Sequence, residues 1–84
     1  MTNREVLCDF GYEDVIVFEN PDYDSAIIGV SHDNRVIYDF ELMIEFLIQT
    51  DDMDRDEAAD FIYYNTIRSL GYMGDTAPII AYSI

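Results

Sequence analysis

The side chains that recur at regular spacing in this sequence are carboxylates. Three sets repeat at short intervals: Asp52, Asp56 and Asp60; Glu41 and Glu45; Asp22 and Asp24. On a helix, residues four apart lie on one stripe at intervals of about 6 Å, and on an extended chain alternate residues lie about 6.6 Å apart. Successive phosphates of a nucleic-acid strand are separated by a comparable distance. Rows of carboxylates at this pitch can therefore engage the Arg and Lys side chains that line a nucleic-acid channel.

Residues for nucleophilic catalysis are scarce. The chain has one cysteine, Cys8, in a poorly patterned segment, and one histidine, His32, in a predicted turn. Nucleophilic catalysis needs a nucleophile, a base and a group that orients the base. The four glycines match neither nucleotide-binding motif. Carboxylate pairs acting as acid and base would need a desolvated cleft, for which so small a core leaves little room. We therefore predict a protein that is not an enzyme and uses no cofactor.

The alternating aspartates also suggest a calcium loop, but the pattern fails. Asp52, Asp54 and Asp56 stand where ligands one, three and five would stand. The sixth position would then be Glu57 in place of glycine, and the twelfth would be Tyr63 in place of glutamate. A second candidate, formed by Asn20, Asp22 and Asp24, fails likewise, with Ser25 at the sixth position and Ser31 at the twelfth. Helix capping and turn formation explain these aspartates, and we predict no metal site.

The charge balance restricts the possible partners. Eighteen acidic residues face four arginines and no lysine in 84 residues, which gives a net charge of −14. Direct nucleic-acid binding is excluded because that affinity depends on Lys and Arg neutralising phosphates, and anionic membranes are excluded for the same reason. A protein partner with a basic surface is favoured. The single cysteine allows no internal disulfide, and no signal peptide or membrane span is evident, so we expect a cytoplasmic protein.

Four segments have the composition of strands. Residues 14–19 and 25–31 are rich in β-branched and aromatic side chains. Residues 35–38 follow a short connection that contains Asp and Asn, so residues 25–38 are predicted to form a β-hairpin. Residues 78–82 form the last predicted strand.

Two helices are predicted between the hairpin and the last strand. Asp39 can cap the first, whose side chains are mostly apolar. Asp54 and Glu57 have the spacing of a capping box and begin the second, over residues 55–70. The order β-β-β-α-α-β predicts a single α+β domain in which a small antiparallel sheet packs against two helices.

From residue 25 onwards the chain resembles a group of short, uncharacterised proteins of Firmicutes and their prophages. The segments that carry this resemblance are Ala-Ile-Ile-Gly-Val at 26–30, Val-Ile-Tyr-Asp at 36–39 with Met-Ile at 43–44, Tyr-Asn-Thr-Ile-Arg at 64–68, Tyr-Met-Gly at 72–74 and Ala-Pro-Ile-Ile at 77–80. The group has no established activity, so the resemblance assigns no catalytic residue and implies only a phage or mobile-element context. Anti-CRISPR inhibitors and other anti-defence proteins are often small, acidic phage proteins, and the likeness of this chain to them is an analogy of size and charge with no shared motif.

The sequence thus predicts an acidic protein-binding module that is not an enzyme. With the resemblance, the hypothesis is a phage-encoded inhibitor that mimics nucleic acid and occupies a basic surface of its target. In the alternative, the apolar first helix, through Met43, Phe46 and Leu47, forms a homodimer or docks on a partner, and the acids serve only solubility. The predicted partner-binding residues are Asp22, Asp24, Glu41, Glu45, Asp51, Asp52, Asp54, Asp56, Glu57, Asp60 and Tyr63.

Overall fold

A computed structural model describes residues 6–7, 9–12, 15–19 and 21–82 of the chain. Cys8 lies outside the described residues. The elements are β1 (Ile27–Val30), β2 (Val36–Asp39), α1 (Phe40–Asp51), α2 (Arg55–Phe61) and β3 (Ile79–Ala81). Short 3₁₀ turns occupy Asp24–Ala26 and Leu70–Tyr72, and a π-helical segment, Ile62–Ile67, continues α2. The α+β class, with the two helices between the hairpin and the last strand, is confirmed.

The sheet has the order β1-β2-β3 and is mixed. β1 and β2 form the predicted antiparallel hairpin, with Val30 opposite Val36. Its turn places Asn34 in the left-handed region, at φ 63°, which asparagine tolerates better than most residues. β3 pairs with β2 in parallel, where the sequence predicts an antiparallel sheet. The two helices carry the chain back to the starting end of β2, and such a crossover produces parallel neighbours.

The strand predicted for residues 14–19 is wrong for the part that the structure describes, because residues 15–19 form no strand. The backbone N–H of Phe18 donates to the hydroxyl of Tyr38 at 3.1 Å. The Phe18 ring packs against the rings of Tyr38 and Tyr23, with centroids 4.7 and 5.8 Å apart. The β-like composition of this segment therefore reflects packing on a partly buried surface, which is what strand propensity largely measures.

Both helices begin where the sequence predicts. The carboxylate of Asp39 accepts from the backbone N–H of Leu42 at 3.2 Å, and that of Asp54 accepts from the N–H of Glu57 at 2.8 Å. The second helix differs from the prediction after Phe61, where it widens into the π-helical segment. The amide of Asn65 donates to the carbonyl of Phe61 at 3.1 Å, within its own helix and not to the following loop.

The core lies between the sheet, α1 and the inner face of α2 with its π-helical extension. Thr66 is buried there, and its hydroxyl bonds the hydroxyl of Tyr23 at 2.9 Å. The side chains buried to below 2% exposure include Tyr23, Val36, Tyr38, Met43, Ile44, Leu47 and Ile62. No helix in the described part of the chain is both long and apolar enough to cross a membrane.

Candidate partner-binding surface

The end of α1 and the start of α2 bring six exposed acids together along the chain. α1 ends at Asp51, and Asp52 turns the chain with a left-handed φ of 58°. Asp54 then caps α2 two residues later. We call the exposed acids of this region the junction acids: Asp51, Asp52, Asp54, Asp56, Glu57 and Asp60.

The fold explains some of the junction acids and not others. Asp56 and Glu57 lie in the first turn of α2, where the positive end of the helix dipole stabilises carboxylates. Asp51 and Asp52 lie at the C-terminal end of α1, whose last turn holds no basic residue. Carboxylates there meet the negative end of the dipole and lower the stability of the helix. The left-handed backbone at Asp52 suits an aspartate or asparagine, but helix stability accounts for neither the carboxylate charge of Asp52 nor that of Asp51.

The predicted stripe of three aspartates is wrong in one member. Asp52 ends α1 and does not belong to α2, so it cannot share a helical face with Asp56 and Asp60. Asp56 and Asp60 do share the α2 helix at a spacing of four residues, which corresponds to about 6 Å of rise. The predicted spacing of about 6 Å between successive carboxylates therefore holds only for Asp56 and Asp60, because the chain turns between Asp52 and α2.

Of the predicted acidic pair on α1, Glu41 and Glu45, Glu41 forms an ion pair with Arg55. A guanidinium nitrogen of Arg55 contacts both carboxylate oxygens of Glu41, at 2.6 and 2.5 Å. This hydrogen bond, followed by the charge of Glu41, raises the pKa of the Arg55 guanidinium. Glu41 therefore contributes less negative potential than predicted, whereas Glu45 is exposed on the same helix. The ion pair joins residues 14 apart in sequence, and no sequence pattern indicates it.

Asp22 and Asp24 do not form the extended pair that the sequence predicts. The Asp22 carboxylate accepts from the backbone N–H of Asp24 at 3.2 Å, which closes a turn. Tyr23 between them has a left-handed φ of 50°, and Asp24 begins a 3₁₀ turn. Both aspartates are half-buried. The spacing of about 6.6 Å applies only to extended backbone, so these two residues are not part of a row.

The tyrosines divide into exposed and structural ones. Tyr63, the predicted anchor, is 46% exposed. Its ring packs against Phe40, with centroids 5.5 Å apart, and Phe40 also contacts Tyr82 at 5.0 Å. A hydrogen bond with Tyr63 raises the pKa of Tyr82. Tyr23 is wholly buried and cannot act as an anchor, whereas Tyr72 is 94% exposed.

The apolar side chains of α1 are mostly buried in the core. Met43 and Leu47 have no exposed surface, and the Phe46 ring packs against Tyr23 with centroids 5.5 Å apart. Ile48, at 38% exposure, is the large apolar side chain that α1 leaves at the surface. The residues named for the alternative function are therefore largely unavailable to a partner of the folded chain.

Of the two residues considered for nucleophilic catalysis, Cys8 lies outside the described residues and His32 is described. His32 is exposed in the hairpin turn, and its neighbour Asp33 accepts a short hydrogen bond from the Ser31 hydroxyl. That bond is the main reason why the pKa of Asp33 is lowered. Within the described ranges, no group of three or more His, Cys, Asp or Glu side chains is arranged to hold a metal ion.

Comparison with known proteins does not extend these observations. No family model, curated protein or solved structure matches the chain.

Proposed function

We propose that the protein is an acidic binding module, without catalytic activity, that docks its junction acids onto a basic surface of a partner protein. The single observation that carries this proposal is the position of Asp51 and Asp52. Each is exposed at a helix end that a carboxylate destabilises. Acids that lower the stability of their own helix are best explained by a contact outside the chain, and a basic partner supplies one.

The partner we favour is a nucleic-acid-binding protein. A surface that normally neutralises phosphates presents clustered Arg and Lys side chains, and carboxylates form strong charge-assisted hydrogen bonds with both. Asp56 and Asp60 retain a spacing close to that of successive phosphates. In the mobile-element context implied by the resemblance, such a module would act as an inhibitor of the anti-defence type, anti-CRISPR inhibitors being one example. The high net charge also favours rapid association with a basic surface.

The proposal is tested by neutralising the acids that the fold does not need. The triple variant Asp51→Asn, Asp52→Asn and Asp60→Asn leaves the α2 cap intact. A matched control carries Asp9→Asn, Asp33→Asn and Asp75→Asn, three exposed acids outside the junction. The two variants have the same net charge, and Asp33→Asn keeps a side-chain oxygen that can accept the hydrogen bond from Ser31. Each is used to capture proteins from host lysate at low and at high salt.

We expect the wild type and the control to capture the same basic protein at low salt, with competition by added DNA or RNA. The junction variant should capture little of it. Equal losses in both variants would mean that total charge, and not the junction, is responsible. Capture that resists high salt and survives the junction substitutions would contradict the proposal and favour an apolar contact.

A further inference from the structure

Three aromatic rings from distant parts of the chain meet beside the start of α1. Phe40 begins α1, Tyr63 lies in the π-helical segment, and Tyr82 directly follows β3. In the parallel pairing of β3 with β2, Ala81 lies opposite Asp39. The next residue of each strand then brings Tyr82 to Phe40. The Phe40 ring centroid lies 5.5 Å from that of Tyr63 and 5.0 Å from that of Tyr82.

The two tyrosine rings are exposed and held in place. Phe40 is buried beneath them, whereas Tyr63 is 46% exposed and Tyr82 is 55% exposed. A hydrogen bond with Tyr63 raises the pKa of Tyr82, so the two side chains also contact each other through their hydroxyl groups. We call these two rings, Tyr63 and Tyr82, the tyrosine platform. Because both rings are already packed, a ligand that stacks on them has little side-chain freedom to remove.

Two features mark the platform as a contact surface. Single exposed tyrosines are ordinary, but neighbouring exposed rings form a patch of the kind that binds partners. The π-helical segment that carries Tyr63 is the second feature, since such segments are rare and frequently occur at functional sites. It leaves three consecutive side chains exposed: Tyr63, Tyr64 and Asn65.

Charge determines what the platform can bind. The faces of aromatic rings are electronegative and attract cations. Asp60, one of the junction acids, precedes Tyr63 by three residues in one continuous helix, and side chains at that spacing are neighbours on a helix surface. The chain carries a net charge of −14, so a second copy and a nucleic acid are both repelled. A cationic side chain is attracted by the rings and by the carboxylate together.

We infer that the tyrosine platform stacks an arginine side chain of the partner protein, and that the guanidinium also reaches the Asp60 carboxylate. A guanidinium is preferred over an ammonium because it is planar, stacks on aromatic faces and donates several hydrogen bonds in a fixed geometry. Tyrosine and arginine are also among the residues that most often anchor protein interfaces. The identity of the occupant as a partner's arginine rests on the proposed function, whereas the preference of the platform for a guanidinium is measurable without the partner.

The test compares a hexa-arginine with a hexalysine peptide, titrated into the full chain in a calorimeter at one fixed low salt concentration. The two peptides carry the same number of side-chain charges and differ in the cationic group. We expect hexa-arginine to bind more tightly. Tyr63→Leu and Tyr82→Leu should each lower the ratio of the two affinities about threefold, within the range of one exposed cation–π contact.

Matched variants separate the rings from the fold and from total charge. Tyr72→Leu makes the same substitution at an exposed tyrosine outside the platform and should leave the affinity ratio unchanged. Tyr63→Phe and Tyr82→Phe keep the rings and should retain most of the preference for arginine. All of these variants have the net charge of the wild type at neutral pH, so a change in the ratio reports the rings.

The outcomes distinguish this inference from the proposed function. Equal affinity for the two peptides, no detectable binding of either, or a ratio that ignores Tyr63→Leu and Tyr82→Leu would overturn the platform, even if partner capture depends on the junction acids. A ratio that falls as expected, combined with capture that ignores the junction acids, would retain the platform and overturn the proposed docking surface. Self-association of the wild type that Tyr82→Leu abolishes would assign the platform to a second copy and would also overturn the inference.

Discussion

The buried hydrogen bond between Tyr23 and Thr66 offers the sharpest test of how the core is held together. The two hydroxyl oxygens are 2.9 Å apart, and the residues are 0% and 5% exposed. Tyr23→Phe removes one hydroxyl and leaves the other buried without this partner, which typically costs about 1 to 3 kcal/mol. Thr66→Val should have a similar cost, because it leaves the buried phenol hydroxyl without its hydrogen-bond partner.

A double-mutant cycle isolates the interaction between these two side chains. When both hydroxyls are removed, neither is left unpaired, so the double variant should be about 1 to 2 kcal/mol more stable than additivity predicts. In a domain of this size, each 1 kcal/mol changes the Tm by about 4 to 8 °C. The single variants should therefore melt measurably lower than the wild type.

The assay is urea unfolding followed by circular dichroism, since the chain contains no tryptophan. Urea is preferred to guanidinium chloride because a salt would screen the charges of the chain during the measurement. Strict additivity of the two substitutions would refute the argument, and so would a Tyr23→Phe variant as stable as the wild type.

Three further predictions concern pH, capping and salt. Burial is the main cause that raises the folded-state pKa of Tyr23 above 10.0. The contribution of the neutral Tyr23 hydroxyl to stability is therefore complete below pH 10 and is lost as pH rises through the folded-state pKa. In unfolding measurements at alkaline pH, Tyr23→Phe should lose less stability with rising pH than the wild type, and an identical loss would contradict this. Asp54→Ala should lower the free energy of unfolding by about 1 kcal/mol because it removes the hydrogen bond from the Glu57 N–H, whereas Asp54→Asn should lower it little. Equal losses of stability for the two variants in urea unfolding would exclude a capping role. Raising NaCl from about 0.1 M to about 1 M shortens the Debye length from about 10 Å to about 3 Å. It should raise the Tm because it screens the repulsion of a chain with net charge −14, and a lower Tm would show that this repulsion does not limit stability.

Local chemistry made the hairpin and both helix starts predictable. Asn34 allows the tight turn, and Asp39 and Asp54 cap the helices that follow them. Each of these features depends on residues within a few positions of one another. The parallel position of β3 and the packing of residues 15–19 depend on contacts between distant segments, such as Phe18 with Tyr38, and local patterns do not encode them.

The candidate site was predictable in its composition and not in its geometry. The exposed acids at 51–60 follow from the sequence, because charged residues outside a core are normally solvated. Their arrangement does not follow, since Asp52 terminates one helix while Asp56 belongs to the next. The pairing of Glu41 with Arg55 was likewise missed.

The sequence by itself determined the charge of this protein, the positions of its caps and turns, and its α+β composition, since these depend on residue type and on neighbours along the chain. Only the tertiary structure decided which acids remain available, that Tyr23 is buried while Tyr72 is exposed, and that a cavity opens beside the π-helical segment. The physical reason is that burial and pairing are set by side chains that meet from distant parts of the chain. One example is the hydrogen bond that joins Tyr23 to Thr66, 43 residues away.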